Sequence, residues 1–297
     1  MVKTYAELLS AARRQLLPTE GDEAPRIARE LTAFAAGKTM EALLRDPGFY
    51  ASETVEQKLN ACISEYLDGK PLAYVFGSRP FYGLDLLVDE RVLIPRDDTV
   101  AVTELGLEAI RNVTRPRVLD LCTGSGCIGL AIALHREDAQ VTLADVSRDA
   151  LSVARENAKR NGLSRRASVV EADALKPKPA FLTNYDLLIA NPPYVTAREM
   201  EELDRSVRDY EPRLALFGGT DGLDFYRAIA GNYLQAVKDG GCVCLEFGLG
   251  QERAVAEILK QYFLEDVRFT SDASGRIRAV TARKPGKEQN YGKEKDR

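Results

Sequence analysis

The sequence is nearly without imidazole. Its 297 residues include one histidine, His135. Catalytic triads and histidine-rich metal centres each need a ring in a specific place, so little of that chemistry is open to this chain. His135 ends an apolar run beside Arg136 and reads as a helix C-terminal residue that complements the dipole. Cysteine is also scarce, at five residues. The count is odd, and neither Cys122/Cys127 nor Cys242/Cys244 is joined by ligand spacing to a second pair or to histidines. A disulfide scaffold and a zinc site are therefore not expected, and the chain is read as reduced and cytoplasmic, with no metal. Long apolar runs are missing as well. The longest in the motif region, Cys127 to Leu134, falls far short of the ~20 residues that span a bilayer. The start, MVKTYAELLS, has neither an apolar core nor a cleavage signature, so neither a signal peptide nor a membrane partner is expected. Excess positive charge is the last absence: 41 Lys and Arg stand against 45 Asp and Glu, a net charge of −4. A protein whose affinity came mainly from phosphate contacts would be basic, so stable nucleic-acid binding is disfavoured, though a local basic patch stays open.

What is present is an ordinary globular composition, 45% hydrophobic. At ~150 residues per domain the length predicts two domains. A chain of this size buries about 75% of its unfolded surface, so core size is not limiting. Residues 1–70 read as a small helical domain. Thr4-Tyr5-Ala6-Glu7 and Thr54-Val55-Glu56-Gln57 both fit a capping box, and Ile27, Leu31, Phe34 and Ala35 recur at helical spacing between them. Asp68-Gly69-Lys70-Pro71 breaks the run. Residues 71–96 read as a β-hairpin linker, with short β-like runs at Tyr74–Phe76, Phe81-Tyr82 and Val92–Ile94. From 97 to 284 strands alternate with helices, which predicts an α/β domain with a mostly parallel sheet covered on both faces. The strands are read at 118–121, 141–144, 169–170, 185–190 and 242–247. Residues 285–297 are polar and charged and read as a disordered tail.

Gly124-Ser125-Gly126-Cys127-Ile128-Gly129 matches G-x-G-x-x-G directly after a strand and at the opening of a helix. Glycines there permit a tight turn and close approach of backbone to a ligand. Asp145 ends the next strand, where a carboxylate can accept both hydroxyls of a ribose. This context points to a nucleotide-type ligand without choosing it. A dinucleotide would offer pyrophosphate to the helix N-terminus, whereas S-adenosylmethionine has no phosphate. The bland alternative is helix–sheet packing by small residues.

Asn191-Pro192-Pro193-Tyr194 follows the strand that ends at Ala190. Ligands of doubly wound sheets sit outside the carboxyl ends of strands, so this tetrapeptide and the glycine loop are expected to face one crevice. The prolines stiffen the backbone and aim two acceptors, the Asn191 side-chain oxygen and the Pro192 carbonyl, at one point. Two acceptors suit an NH2 group, and Tyr194 offers a face to a planar substrate. A stiffened surface turn with a half-buried tyrosine is the competing reading.

VLDLCTGSG, then Asp145, then NPPY, resembles the class I S-adenosylmethionine-dependent methyltransferases that modify planar NH2 nitrogens. More closely, PLAYVFGSRPFYG, VLIPR, NPPYV, EPRLALFGGTDGLDFYR and GGCVCLEFGLGQ are similar to the HemK/PrmC family, the peptide chain release factor N5-glutamine methyltransferases. The similarity runs from about residue 4 to 284. It implies a helical substrate-recognition domain followed by a seven-stranded Rossmann-like methyltransferase domain, acting as a monomer. The reaction implied is transfer of methyl from S-adenosyl-L-methionine to the glutamine amide in the Gly-Gly-Gln motif of release factors. By the same resemblance Cys122, Thr123, Gly124, Ser125 and Gly126 line the methionine and ribose part of the donor. Asp145 holds the ribose hydroxyls, and Asp173 and Ala174 sit near the adenine. Asn191 contacts the substrate amide close to the methyl, with Pro192, Pro193 and Tyr194 completing the substrate site. Asn191, Pro192 and Tyr194 carry the catalysis. Two positions depart from the family pattern: Cys122 stands where glycine is commonest, and Asp97-Asp98-Thr99 replaces Pro-Glu-Thr, which leaves the role of Asp97 and Asp98 open.

Four rivals remain. A ribosomal-protein glutamine methyltransferase shares NPPY and a similar linker. A DNA adenine-N6 methyltransferase shares the chemistry, but the acidic charge and the lack of a second basic domain oppose it. An NAD-dependent oxidoreductase fits the glycine loop and leaves NPPY unexplained. A non-catalytic binding module leaves both donor and acceptor motifs unexplained. Cys122 as a nucleophile lacks a paired base.

Overall fold

The structure is a computed structural model that describes residues 2–286. The predicted tail from 287 onward lies outside the described residues. The chain divides into two compact units between Gly77 and Ser78.

The first unit is helical: α1 (Tyr5–Glu20), α2 (Ala24–Ala36), α3 (Met40–Arg45), α4 (Glu53–Leu67) and α5 (Leu72–Phe76). Thr4 starts α1 through the predicted capping box, its Oγ1 accepting from Glu7 N–H at 3.3 Å while Glu7 Oε2 accepts from Thr4 N–H at 2.8 Å. The second predicted box is corrected. Ser52, extended at φ −68° and ψ 157°, caps α4 through Val55 N–H, and Thr54 already lies inside the first turn. Leu8, Leu16, Ile27, Leu31, Leu59 and Ile63 form this unit's own core. Tyr74–Phe76 is also corrected from extended to helical. Pro71 precedes a single turn that Gly77 ends in the left-handed region at φ 66°, and Tyr74 is buried. Aromatic and β-branched residues satisfy a strand pattern and a one-turn helix equally over three positions.

The second unit opens with the hairpin β1 (Ser78–Phe81) and β2 (Leu84–Leu87). Tyr82 and Gly83 turn it with φ of 43° and 86°, the double positive φ of a type I′ turn. Val92–Ile94, read as a third extended run, forms no strand. Next come α6 (Val100–Ala109), β3 (Arg117–Leu121), α7 (Cys127–His135), β4 (Gln140–Asp145), α8 (Arg148–Arg160), β5 (Ala167–Glu171) and β6 (Tyr185–Ala190). The chain continues through α9 (Glu199–Glu202), α10 (Arg205–Tyr210), α11 (Asp224–Asn232), β7 (Val237–Glu246), α12 (Glu252–Gln261), β8 (Glu265–Ser271) and β9 (Ile277–Arg283). His135 is the last residue of α7, as the dipole argument predicts, and its ring packs edge-on against Tyr82.

The seven-stranded sheet runs β5-β4-β3-β6-β7-β9-β8, parallel from β5 to β7 and antiparallel at β9 and β8. This is the class I methyltransferase sheet. Its strand order reverses between β3 and β6, and that switch point is where such sheets hold ligands. Register then decides which residues meet. Leu121 pairs with Ala190 and with Ala144, and Ala190 pairs with Leu245. Cys122, Asp145, Asn191 and Glu246 therefore leave four adjacent strands at one level.

Candidate functional site

Cys122–Ser125, Asp145–Ser147, Ala172–Leu175, Asn191 and Pro193 line one cleft outside these strand ends. Of the residues singled out in the sequence, it gathers Cys122, Thr123, Gly124, Ser125, Asp145, Asp173, Ala174, Asn191 and Pro193. Gly126, Pro192 and Tyr194 are not among the lining residues. Gly126 is the N-cap of α7 at φ 84°. Pro192 is buried. Tyr194 is half-buried and packs on the core beside Gly248. Burial pushes its hydroxyl up to about 12, so it stays protonated at neutral pH.

The loop geometry explains the glycines. Gly124 has φ 53°, and a Cβ there would meet no protein atom within 4 Å. Gly129 shows the opposite limit, since a Cβ would lie 2.4 Å from Leu143 Cδ2 and 2.8 Å from Asp120 Oδ2. Its absence lets α7 settle on the sheet. Asp120, wholly buried on β3, accepts from the Thr123 hydroxyl and from Gly129 N–H at 2.9 Å. Burial pushes its carboxyl up to about 7. Asn157 of α8 fixes the loop from the other side. Its Nδ2 donates to Ser125 O at 2.9 Å and Leu87 O at 3.0 Å, and its Oδ1 accepts from Leu87 N–H at 2.6 Å.

Cys122 occupies its glycine-like position at φ 60°. Burial pushes its thiol well above the usual range and Asp145 adds to the shift, so the thiolate a nucleophile needs is suppressed. Asp145 bridges two loops, with Oδ2 accepting from Gly124 N–H and Oδ1 from Ser147 N–H, both at 2.9 Å. Burial raises its pKa. Asp173 accepts from Leu175 N–H at 2.9 Å, and the Tyr233 hydroxyl donates to its carbonyl at 2.9 Å.

Several residues of the site carry no signal of their own in the sequence. Arg96 lines the cleft and pairs with the buried Glu211, whose Oε2 accepts from Ile94 N–H at 3.0 Å. This pair joins the VLIPR and EPRLALFGG segments, whose spacing is neither helical nor alternating. Asp97 and Asp98 now have partners: Asp97 meets Arg79 at 2.7 Å and Asp98 meets Arg278 at 2.5 Å. Thr99, buried beside them, accepts from Asn191 Nδ2 at 3.2 Å. Glu246 lies in the same row. Among the described residues no cluster of His, Cys, Asp or Glu is arranged to hold a metal ion, and no helix is long and apolar enough to cross a membrane.

Comparison with known proteins gives this geometry its context. Residues 7–77 match the PrmC N-terminal domain and residues 97–207 the methyltransferase small domain. A release factor glutamine methyltransferase of Chlorobaculum tepidum is 41% identical over 223 residues, 73% of this chain and 75% of that protein. One of Caulobacter vibrioides is 34% identical over 94% of this chain and 96% of its own. The chain belongs to the release factor glutamine methyltransferase family. A solved methyltransferase from Pyrococcus furiosus shares the fold, with TM-score 0.50 and 16% identity over 75% of this chain and 97% of that one. The family makes this an S-adenosylmethionine-dependent enzyme. The cleft fits such a donor: it carries carboxylates for ribose and leaves open space at Gly124.

Proposed function

We propose that the protein transfers a methyl group from S-adenosylmethionine to the side-chain amide nitrogen of the glutamine in the Gly-Gly-Gln motif of peptide chain release factors. Family membership supports the substrate class. The observation that carries the chemistry is Asn191, which leaves β6 directly beside the glycine loop and lines the same cleft. The donor supplies an electrophilic methyl on a sulfonium. Asp145 and the Cys122–Gly126 loop hold its ribose and methionine parts, and Asp173 and Ala174 border its adenine.

The amide is a poor nucleophile, because its lone pair is shared with the carbonyl; the ~18–20 kcal/mol rotation barrier of a peptide bond measures that sharing. Asn191 Oδ1 and the Pro192 carbonyl accept the two amide hydrogens and turn the nitrogen toward the methyl. Nitrogen gains a bond to carbon, the sulfonium loses one, and an amide proton leaves. Orientation of this kind supplies up to ~7–11 kcal/mol. Pro193 and the buried Pro192 stiffen the turn, and Tyr194 supports it from the core side. The chain acts as a cytoplasmic monomer without membrane contact, and its net charge of −4 supports the absence of stable nucleic-acid binding.

Asn191→Ala tests the role. Loss of a transition-state contact predicts a fall in kcat of about 100-fold or more, with donor affinity within about threefold. Equal losses in both would reduce Asn191 to a donor-binding residue.

A further inference from the structure

Parallel strands are ordinarily covered on both faces by crossover helices, yet the crossover between β5 and β6, residues 172–184, forms no helix. A groove of about 360 Å³ opens at the starts of β3, β4 and β5, the end of the sheet opposite Asp145 and Asn191. Register sets Arg117 beside Gln140 and Thr142 beside Ser168. Arg165 and Arg166 enter from the turn before β5. The lining thus holds three arginines and no carboxylate. Arg117 stacks its guanidinium 5.1 Å from the centre of the Tyr185 ring. Asp186, the acid beside it, is taken by the Arg117 N–H at 2.9 Å and by Lys238 at 2.7 Å. Arg166 donates through Nη1 to the carbonyls of Ala133 and Arg136 at the end of α7, which leaves Nε and Nη2. Arg165 is exposed and hydrogen-bonds nothing among the described residues. The hydroxyls are also available. Ser168 Oγ lies 3.4 Å from both Val141 O and Thr142 Oγ1, and Thr142 Oγ1 accepts from the Tyr185 hydroxyl at 3.0 Å, so its own O–H can donate outward.

We infer that this groove is a binding site for a small phosphate-bearing ligand, separate from the methyl-donor cleft. A groove walled by one sign of charge focuses the field on whatever enters it. Guanidinium forks match phosphate oxygens in bidentate pairs. A terminal phosphate carries about −1.5 to −2 charge and three acceptor oxygens. That answers the three cations together with the hydroxyls of Thr142, Ser164 and Ser168. A carboxylate has less charge and fewer oxygens, and leaves donors over. A nucleic-acid strand needs a cationic track longer than one groove, and the net charge of −4 opposes it. The site is independent of the proposed methyl transfer, because it shares no lining residue with the donor cleft.

The test titrates pyrophosphate into the full-length protein by calorimetry at constant ionic strength. Saturable binding is expected, weakened about tenfold or more by Arg165→Gln, which removes a charge-assisted contact to the ligand and no hydrogen bond within the protein. Arg253→Gln removes an exposed charge from α12 and controls for net charge; it should leave the affinity within about twofold. Amide resonances give a second readout that needs no variant. Those of Gln140–Thr142 and Ser164–Ser168 should shift with pyrophosphate, and those of Gly124–Gly126 should not. Absence of saturable binding, equal losses in the two variants, or shifts confined to the glycine loop overturns the inference. A single-stranded RNA of about twelve nucleotides is titrated alongside. RNA that binds more tightly than pyrophosphate and is lost in Arg165→Gln would assign the groove to a polymer, and this too overturns the inference. None of these outcomes depends on a release factor, so the site and the proposed function stand or fall separately.

Discussion

Cys122 sits at φ 60°, a conformation that costs most for β-branched side chains. Cys122→Val is therefore expected to lower stability by about 2 kcal/mol or more in urea unfolding, and Cys122→Gly to stay within about 1 kcal/mol of wild type. Equal effects would show that packing and not backbone conformation sets the choice of residue. The two buried carboxyls make a prediction about pH. Asp120 and Glu246 are each raised by burial to about 7, so between about pH 5 and 7 the folded chain holds protons that the unfolded chain has released. Their contribution to stability is complete below the unfolded values and is lost as pH rises through 7, by at most ~1.4 kcal/mol per unit for each group. The melting temperature should fall from pH 5.5 to 8, and Asp120→Asn should flatten the decline; a steady rise over that window would contradict the assignment. The sequence displays Asp120 and Glu246 only as acidic letters within apolar runs. Their burial, and the row Asn191–Thr99–Glu246–Arg278, come from strand register between segments far apart in the chain.

Elements were legible where a local signal sufficed. The strand, glycine loop and helix from Arg117 to His135, the strand ending at Asp145 and the strand before Asn191 each carry their pattern within a few residues. Two of the errors fell where local patterns compete, at the one-turn helix Tyr74–Phe76 and at the serine two positions before a threonine at the start of α4, and a third at Val92–Ile94, an apolar run that forms no strand. What no local pattern reveals is how elements lock together. Asn157 ties the hairpin to the glycine loop by three hydrogen bonds, and it is fully buried. Asn157→Ala leaves Leu87 and Ser125 groups without partners and should cost about 2–3 kcal/mol. Because Ser125 lines the cleft, donor affinity should fall as well. A variant that loses stability and keeps full donor affinity would show that the loop holds its shape without this tie.

At the scale of the molecule, every residue lining the cleft belongs to the unit that begins at Ser78, and each unit has its own core. A chain shortened to residues 78–297 is expected to bind S-adenosylmethionine within about threefold of the full-length affinity. Its transfer to an intact release factor should be far slower, because the helical unit is read as the substrate-recognition part. Undiminished transfer would assign recognition to the second unit alone. The most direct test of the whole account is mass-spectrometric mapping of a release factor after incubation with the enzyme and S-adenosylmethionine. The account predicts one added methyl group, on the glutamine of Gly-Gly-Gln, and none when that glutamine is changed to alanine. A methyl group on any other residue, or on the alanine variant, would contradict it.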